Sequence, residues 1–254
     1  QLPVDYHSEA FTLESMIKVD KQLRCKRCYS QIEEDWQLPE GQYYCRACIV
    51  FGRNQEGKEL YYFPSKTSEI EFPVLKWLGE LTPYQAEVSE KLLETYQKQK
   101  DSLVHAVTGA GKTEMIYKIV AYVLGNKGRV AIASPRVDVC RELFLRMQRD
   151  FTCSISLLHA ESEPYDGSPL VIATTHQLLK FYQNFDLVIV DEVDAFPFVG
   201  NVMLNHAVEQ AKKETGRYIY LTATSTISLE EQVRLGTLEK HHLARRFHGN
   251  PLVL

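Results

Sequence analysis

Two sets of residues in this 254-residue chain have types and spacing that could do chemistry. The first runs from Ala106 through Val107, Thr108, Gly109, Ala110, Gly111 and Lys112 to Thr113. It follows the apolar stretch LVHAV and opens a stretch of helical pattern, the strand–loop–helix setting that a phosphate-binding loop needs. Glycines there let the backbone turn and bring its N–H groups against phosphate oxygens, and the helix start adds partial positive charge. Lys112 is placed to reach the β- and γ-phosphates, and the Thr113 hydroxyl to take one Mg²⁺ position. The strict pattern has Gly where this chain has Ala106, which weakens the match without removing the cradle. The plain alternative is a Gly-rich turn entering a helix.

A second element of the same site is the apolar run Phe185–Val190, which ends in Asp191 and Glu192. Ligands of open α/β sheets bind at strand C-termini. There Asp191 is placed to hold Mg²⁺ directly or through water, and Glu192 to orient or deprotonate an attacking water. An Asp-Glu pair after a strand is ordinarily a solvated loop or a cap; the loop at 106–113 is what gives this pair a partner. Gln85 is a weaker candidate: an amide can offer a donor and an acceptor to the adenine edge, although such a residue is commonly just an exposed helix position.

The second set is Cys25, Cys28, Cys45 and Cys48, spaced CxxC–x16–CxxC. That spacing is in the range of structural zinc sites, where two knuckles deliver four thiolates and close the coordination sphere. A small module with little core would depend on the metal to fold. Two disulfides or a thioredoxin-like pair are the alternatives, and no βαβ pattern surrounds either CxxC. Lys21, Arg24, Lys26, Arg27 and Arg46 crowd the knuckles. They could grip DNA phosphates, or solvate a structural knob and lower thiolate pKa values, or dock a partner; structure plus docking ranks above direct DNA grip. Cys140 and Cys153 read as packing residues.

The elements that must position these residues show two textures. Residues 1 to about 70 are Tyr-rich with short β-like runs and turn residues. From Leu81 onward, helical patterns alternate with short apolar strands. Thr82-Pro83 opens a helix as N-cap and first position. Strands are expected at Leu103–Val107, Arg129–Ala133, Ile155–Leu158, Leu170–Ala173, Leu187–Val190 and Tyr218–Leu221. Helices are expected at Lys112–Leu124, Val137–Asp150, His176–Tyr182, about 201–213 and 228–235. Most of the strands are continuous apolar runs, as in a parallel sheet buried on both faces. The fold class is therefore α/β. The composition agrees: 44% hydrophobic and 24% charged residues exclude global disorder. A net charge of −4 means that nucleic-acid binding would need a local basic surface. No apolar run approaches a membrane span, and the first residues lack a signal-peptide pattern. Gln1 in place of Met raises the expectation of upstream sequence.

LTPYQ, AVTGAGKTE, DEVDAF and LTATS, in that order, resemble the superfamily 2 helicases. DEVDAFPF, SPRVDVCREL and RRFHGNPL, behind a four-cysteine module, are most similar to the ComFA family, with PriA-type restart helicases as the rival. The resemblance implies a RecA-like P-loop domain at 76–254 preceded by a zinc-ribbon-like β module and linker at 1–75. It implies a cytoplasmic, DNA-stimulated ATPase that uses ATP, Mg²⁺ and Zn²⁺ to translocate single-stranded DNA during competence. A PriA-like restart or repair helicase and a nucleotide-switched zinc adaptor with negligible hydrolysis are the alternatives. Gln85 would read adenine, Arg136, Thr174 and Thr175 would touch DNA phosphates, and Thr222 and Thr224 would couple nucleotide state to DNA grip. Other competence proteins are implied as partners. Peripheral association with a membrane DNA-uptake channel and an oligomer are compatible with it, and membrane insertion is not expected. Such motors use two RecA-like domains. This chain has residues for one, with Arg245 and Arg246 near the crossing to the next, so the expectation is nucleotide binding with slow turnover.

Overall fold

The computed structural model describes residues 10–64, 70–106, 111–193 and 200–243. The N-terminal module is built from six short strands: β1 (Phe11–Glu14), β2 (Met16–Val19), β3 (Gln22–Cys25), β4 (Tyr44–Cys45), β5 (Asn54–Gln55) and β6 (Glu59–Tyr62). They pair antiparallel as β1–β6, β2–β3 and β4–β5. Two-stranded ribbons of this length cannot bury enough apolar surface to be stable alone, so the cysteine cluster supplies the module's centre.

The α/β domain holds a parallel sheet of seven strands: β7 (Asp101–Ala106), β8 (Val130–Ser134), β9 (Ile155–Leu158), β10 (Leu170–Thr174), β11 (Phe185–Asp191), β12 (Lys212–Thr222) and β13 (Leu238–Leu243). Their spatial order is β13-β7-β12-β11-β8-β10-β9. Successive side chains go to opposite faces. Val130 and Ile132 of β8, Leu170 and Ile172 of β10, and Leu187 and Ile189 of β11 face one layer. That layer includes Val88 and Leu92 of α1 (Pro83–Gln97), Val120 of α3 (Tyr117–Gly125) and Met147 of α4 (Val137–Asp150). Ala131, Ala133, Val171, Ala173, Val188 and Val190 face the other. There they meet the 3₁₀ turn Thr175–Lys180, α5 (Val202–Ala211) and α6 (Ile227–Arg234), and the cysteine module joins the same layer. With both faces covered, these strands read in sequence as unbroken apolar runs.

The expected elements are present with four differences. In place of the helix expected over His176–Tyr182 there is the 3₁₀ turn Thr175–Lys180. The helix expected over Lys112–Leu124 is split at Ile116 into α2 (Lys112–Met115) and α3. The Ile116 N–H bonds back to Thr113 at 3.3 Å, an i−3 bond that tightens one turn. β12 begins at Lys212, directly after α5, where helix was expected to continue to 213. β13 was not expected at all; it pairs with β7 at the sheet edge. Among the described residues, no helix is long and apolar enough to cross a membrane.

The module seats on the domain through aromatic contacts. Tyr29 stacks on His206 with centroids 5.1 Å apart, Phe51 meets His176 at 5.0 Å, and Tyr62 meets Tyr182 at 5.2 Å. His206 Nε2 lies 3.2 Å from the Lys26 carbonyl. Residues 74–77 run along the domain: Thr152 N–H donates to the Val74 carbonyl, Lys76 N–H donates to the Asp150 carbonyl, and Trp77 packs edge-on against Tyr117.

Candidate nucleotide edge and metal centre

In a parallel sheet every strand delivers its C-terminus to the same edge. Register shows which residues meet there: Thr222 lies opposite His105, Asp191 opposite Leu221, Val190 opposite Ala133, and Thr174 opposite Ser134. The C-terminal ends of five neighbouring strands, at Ala106, Thr222, Asp191, Ser134 and Thr174, therefore lie along one edge of the sheet, stepped by a residue or two. The fold alone brings together residues separated by more than a hundred positions.

Ala106 is buried at the end of β7. Val107, Thr108, Gly109 and Ala110, expected to form the phosphate cradle, lie outside the described residues. Gly111 re-enters with φ 69°, a left-handed turn that glycine takes without steric cost. Lys112 and Thr113 start α2. The Lys112 Nζ stands 3.3 Å from Asp191 Oδ1, with both side chains largely shielded. Asp191 Oδ1 also accepts the Glu192 N–H at 2.9 Å. Glu192 has φ 55°. Left-handed backbone at a residue other than glycine costs about 1 kcal/mol or more, and such strain gathers at functional sites.

Gln85 is nearly fully buried at the start of α1. Its Oε1 accepts from Thr82 N–H at 2.9 Å and from the Thr82 hydroxyl at 3.0 Å, while its N–H bonds back to Thr82 Oγ1, a reciprocal cap. Its NH₂ group donates to the Gly111 carbonyl at 3.4 Å. Gln85 thus ties α1 to the turn ahead of Lys112, a use not legible from its position in the sequence.

Of the three residues expected to touch DNA phosphates, only Arg136 is well exposed; Thr174 is 9% and Thr175 1% exposed. Thr174 ends β10 and Thr175 opens the 3₁₀ turn that follows it. The Arg136 guanidinium donates to Asp138 through Nε at 3.3 Å and Nη2 at 2.5 Å, and its Nη1 lies 3.8 Å from Glu192 Oε1. Thr222 is buried; its hydroxyl donates to the Thr224 carbonyl at 2.6 Å and accepts the Thr224 N–H at 3.0 Å. This closes the turn after β12. His105 Nε2 lies 2.8 Å from the Ala223 carbonyl, joining that turn to β7.

The four cysteines converge. All four are fully buried and their Sγ atoms lie within 4.8 Å of one another. Cys25–Cys48, Cys28–Cys45 and Cys45–Cys48 are 3.7, 3.5 and 3.6 Å apart. These are not disulfides, whose sulfurs sit about 2.05 Å apart. Four thiolates held about 2.3 Å from a tetrahedral zinc ion stand about 3.8 Å from one another, so the donor set fits that ion. Hydrogen bonds from Cys28, Cys45 and Cys48 pull the Cys25 thiol far below its ordinary range, and the hydrogen bonds with Cys25 hold the other three well above it. Four thiols side by side cannot all ionise unless a cation takes them.

Two side chains brace this cluster: Asn54, which the motif does not signal, and Arg27, one of the basic residues that crowd the knuckles. Asn54 is opposite Cys45 in the β4–β5 ladder and donates to Cys25 Sγ at 3.1 Å and to the Ser15 carbonyl at 2.8 Å. Arg27 donates to Cys48 Sγ through Nε at 3.2 Å and Nη2 at 3.1 Å, and to the carbonyls of Cys48, Phe51 and Gly52. Its guanidinium is spent inside the module. Arg46 is held by Asp35 and Tyr44. Cys140 and Cys153 sit apart from the cluster, their thiols pushed up by burial to about 12 and about 11.

A model of the DEAD/DEAH box helicase family matches residues 82–232, which take in Gln85, Lys112, Asp191 and Thr222. The chain belongs to the DEAD/DEAH box helicase family. It is 59% identical over 245 residues to the competence protein ComFA of Streptococcus pneumoniae, covering 95% of this chain and 56% of that protein. It is 35% identical over 249 residues to ComFA of Bacillus subtilis, covering 95% of this chain and 54% of that one. The chain thus spans about half the length of these curated relatives. The replication restart protein PriA of Bacillus subtilis is a more distant match, 22% identical over 65% of this chain and 23% of that protein. Among solved structures, the UvsW helicase from bacteriophage T4 shares the fold with a TM-score of 0.50 and 15% identity, over 70% of each chain.

Proposed function

We propose that this chain carries the ATP-binding core of a motor that moves single-stranded DNA, serving DNA uptake in competent bacteria. Homology to ComFA proteins supports the setting, and the helicase family supports hydrolysis of ATP. The observation that carries the reading is the approach of Lys112 Nζ to Asp191 Oδ1 at the shared strand edge. A cation and a carboxylate from two separate motifs, partly shielded from water, form the two halves of a phosphate–metal clamp.

In this reading Lys112 offsets charge on the β- and γ-phosphates, the role for which an ammonium on a flexible stem is suited. Thr113 and Asp191 supply the oxygen ligands that Mg²⁺ prefers, and Mg²⁺ when bound contributes neutralisation of the triphosphate charge. Glu192 orients the attacking water and takes its proton. The NH₂ group of Gln85 faces the phosphate turn, so adenine recognition and loop position are coupled through one amide. Val107, Thr108, Gly109 and Ala110 are assigned to phosphate binding from the sequence motif alone. The turn at Thr222 and Thr224, tied to β7 through His105, passes changes at the phosphate loop toward the DNA side. On that side Arg136 is the phosphate contact, and Thr174 and Thr175 shape the floor behind it. Cys25, Cys28, Cys45 and Cys48 hold zinc as a structural ion, and docking of the module, not DNA grip, is its role. The use of Arg27 as an internal brace supports that order. Partners are other DNA-uptake proteins.

The test is ATP hydrolysis by the purified chain with Mg²⁺, with and without oligo-dT. Hydrolysis that needs Mg²⁺ and rises with oligo-dT supports the reading. Nucleotide binding with no hydrolysis under either condition favours a nucleotide-switched adaptor instead.

A further inference from the structure

Arg136 stands between two carboxylates of unequal hold. Asp138 lies in the first turn of α4, where the helix N-terminus favours a negative charge and the Val139 N–H adds a hydrogen bond. Its two oxygens take Nε and Nη2 of the guanidinium at 3.3 and 2.5 Å. That contact fixes the plane of the fork. Nη1 is left to Glu192 Oε1 at 3.8 Å, a distance at which the pair is an ion contact and not a hydrogen bond. The guanidinium is 53% exposed and the Glu192 side chain 29%. A pair so open and so long is weakly held and screened by solvent. An incoming phosphate that offers Arg136 charge-assisted hydrogen bonds therefore displaces Glu192 before it displaces Asp138.

We propose that Arg136 is shared between Glu192 and the DNA backbone, so that a phosphate taking the guanidinium releases Glu192 to act on water. This rests on the reading above, in which Arg136 meets DNA and Glu192 meets the attacking water, and it gives that reading its DNA dependence. Without DNA, the carboxylate that should receive a proton is drawn toward a guanidinium. With DNA, the same guanidinium is occupied from the other side. Because the two compete for one group, the coupling is reciprocal: whatever frees Arg136 from Glu192 must tighten DNA.

The test is a double-mutant cycle on affinity for fluorescein-labelled oligo-dT at low salt without nucleotide, using the wild-type chain, Glu192→Gln, Arg136→Gln and the double variant. Glu192→Gln tightens binding about two- to fivefold, the factor that an ion pair of this exposure accounts for. In the Arg136→Gln background the same substitution leaves affinity unchanged. Tightening of equal size in both backgrounds means that only the lost negative charge matters, and overturns the proposal. So does the absence of tightening. A second readout is turnover: Arg136→Gln raises DNA-free ATP hydrolysis while it lowers stimulation by oligo-dT. Loss of stimulation with DNA-free turnover unchanged or reduced reduces Arg136 to a DNA contact. If the wild-type chain shows no affinity for oligo-dT at all, the parent reading fails, and the shared arginine with it.

Discussion

The cysteine cluster and the nucleotide edge are both sites of converging polar side chains, and they are built on opposite plans. At the cluster, four sulfurs are fully buried, and Asn54 and Arg27 direct N–H groups at two of them. At the nucleotide edge, Lys112 leans on Asp191 and Arg136 leans on Glu192 across longer and more open contacts. The cluster offers a closed set of four sulfur donors. The edge is held by contacts weak enough to be exchanged for phosphate. A site that must stay closed is braced by buried hydrogen bonds, and a site that must turn over is held by partners that can be displaced.

The strongest way to break this comparison is at the cluster. Cys45→Ser leaves three thiolates, and structural zinc in small modules contributes about 10–16 kcal/mol of apparent binding free energy. Zinc content measured by metal analysis is expected to be lost, and proteolysis is expected to cut within residues 10–64 while the parallel-sheet domain survives. A module that stays protease-resistant without zinc would show that its strands and docking contacts suffice. Next in size is Glu192→Gln at the edge. A general base contributes about 10²–10⁴ in rate, so ATP turnover should fall by that order while nucleotide affinity holds. Equal loss of both would make Glu192 a structural residue.

Smaller effects sharpen the contrast. Asn54→Ala removes the donor to Cys25 and should weaken zinc about 10–100-fold, read by competition with a chromogenic chelator. If affinity is unchanged, the bracing at the cluster is incidental. Thr82→Ala removes the cap over Gln85 and should cost about 1 kcal/mol in urea unfolding. It should also loosen the tie between Gln85 and Gly111, seen as a modest rise in the dissociation constant for ATP.

What could be read from the sequence follows from how each feature is encoded. Central strands were legible because burial on both faces leaves an unbroken apolar run, as in Val130–Ser134 and Leu170–Thr174. β13 was not, because an edge strand carries polar residues: Lys240, His241 and His242 break the pattern, although His241 is buried beside Thr95. The extension of β12 back to Lys212 follows pairing with β11, where Phe185 lies opposite Lys212, which local propensity does not contain. Lys112, Asp191, Glu192 and the four cysteines were legible because short motifs fix their spacing. Asn54, the hold of Arg136 on Glu192 and the second use of Gln85 depend on strand register and on segments far apart in the chain. For Thr174 and Thr175 the sequence offered only the helicase resemblance, and their burial at the end of β10 and in the 3₁₀ turn depends on packing.

The central claim is that Lys112 and Asp191 form one clamp for a triphosphate and its magnesium ion. Titration of the chain with a fluorescent ATP analogue, with Mg²⁺ present and with Mg²⁺ chelated, tests it most directly. The account predicts saturable binding that is stronger with Mg²⁺, weakened about tenfold or more in Lys112→Ala, and no longer responsive to Mg²⁺ in Asp191→Asn. Binding that is indifferent to Mg²⁺ in the wild-type chain, and unaltered by either substitution, would contradict it.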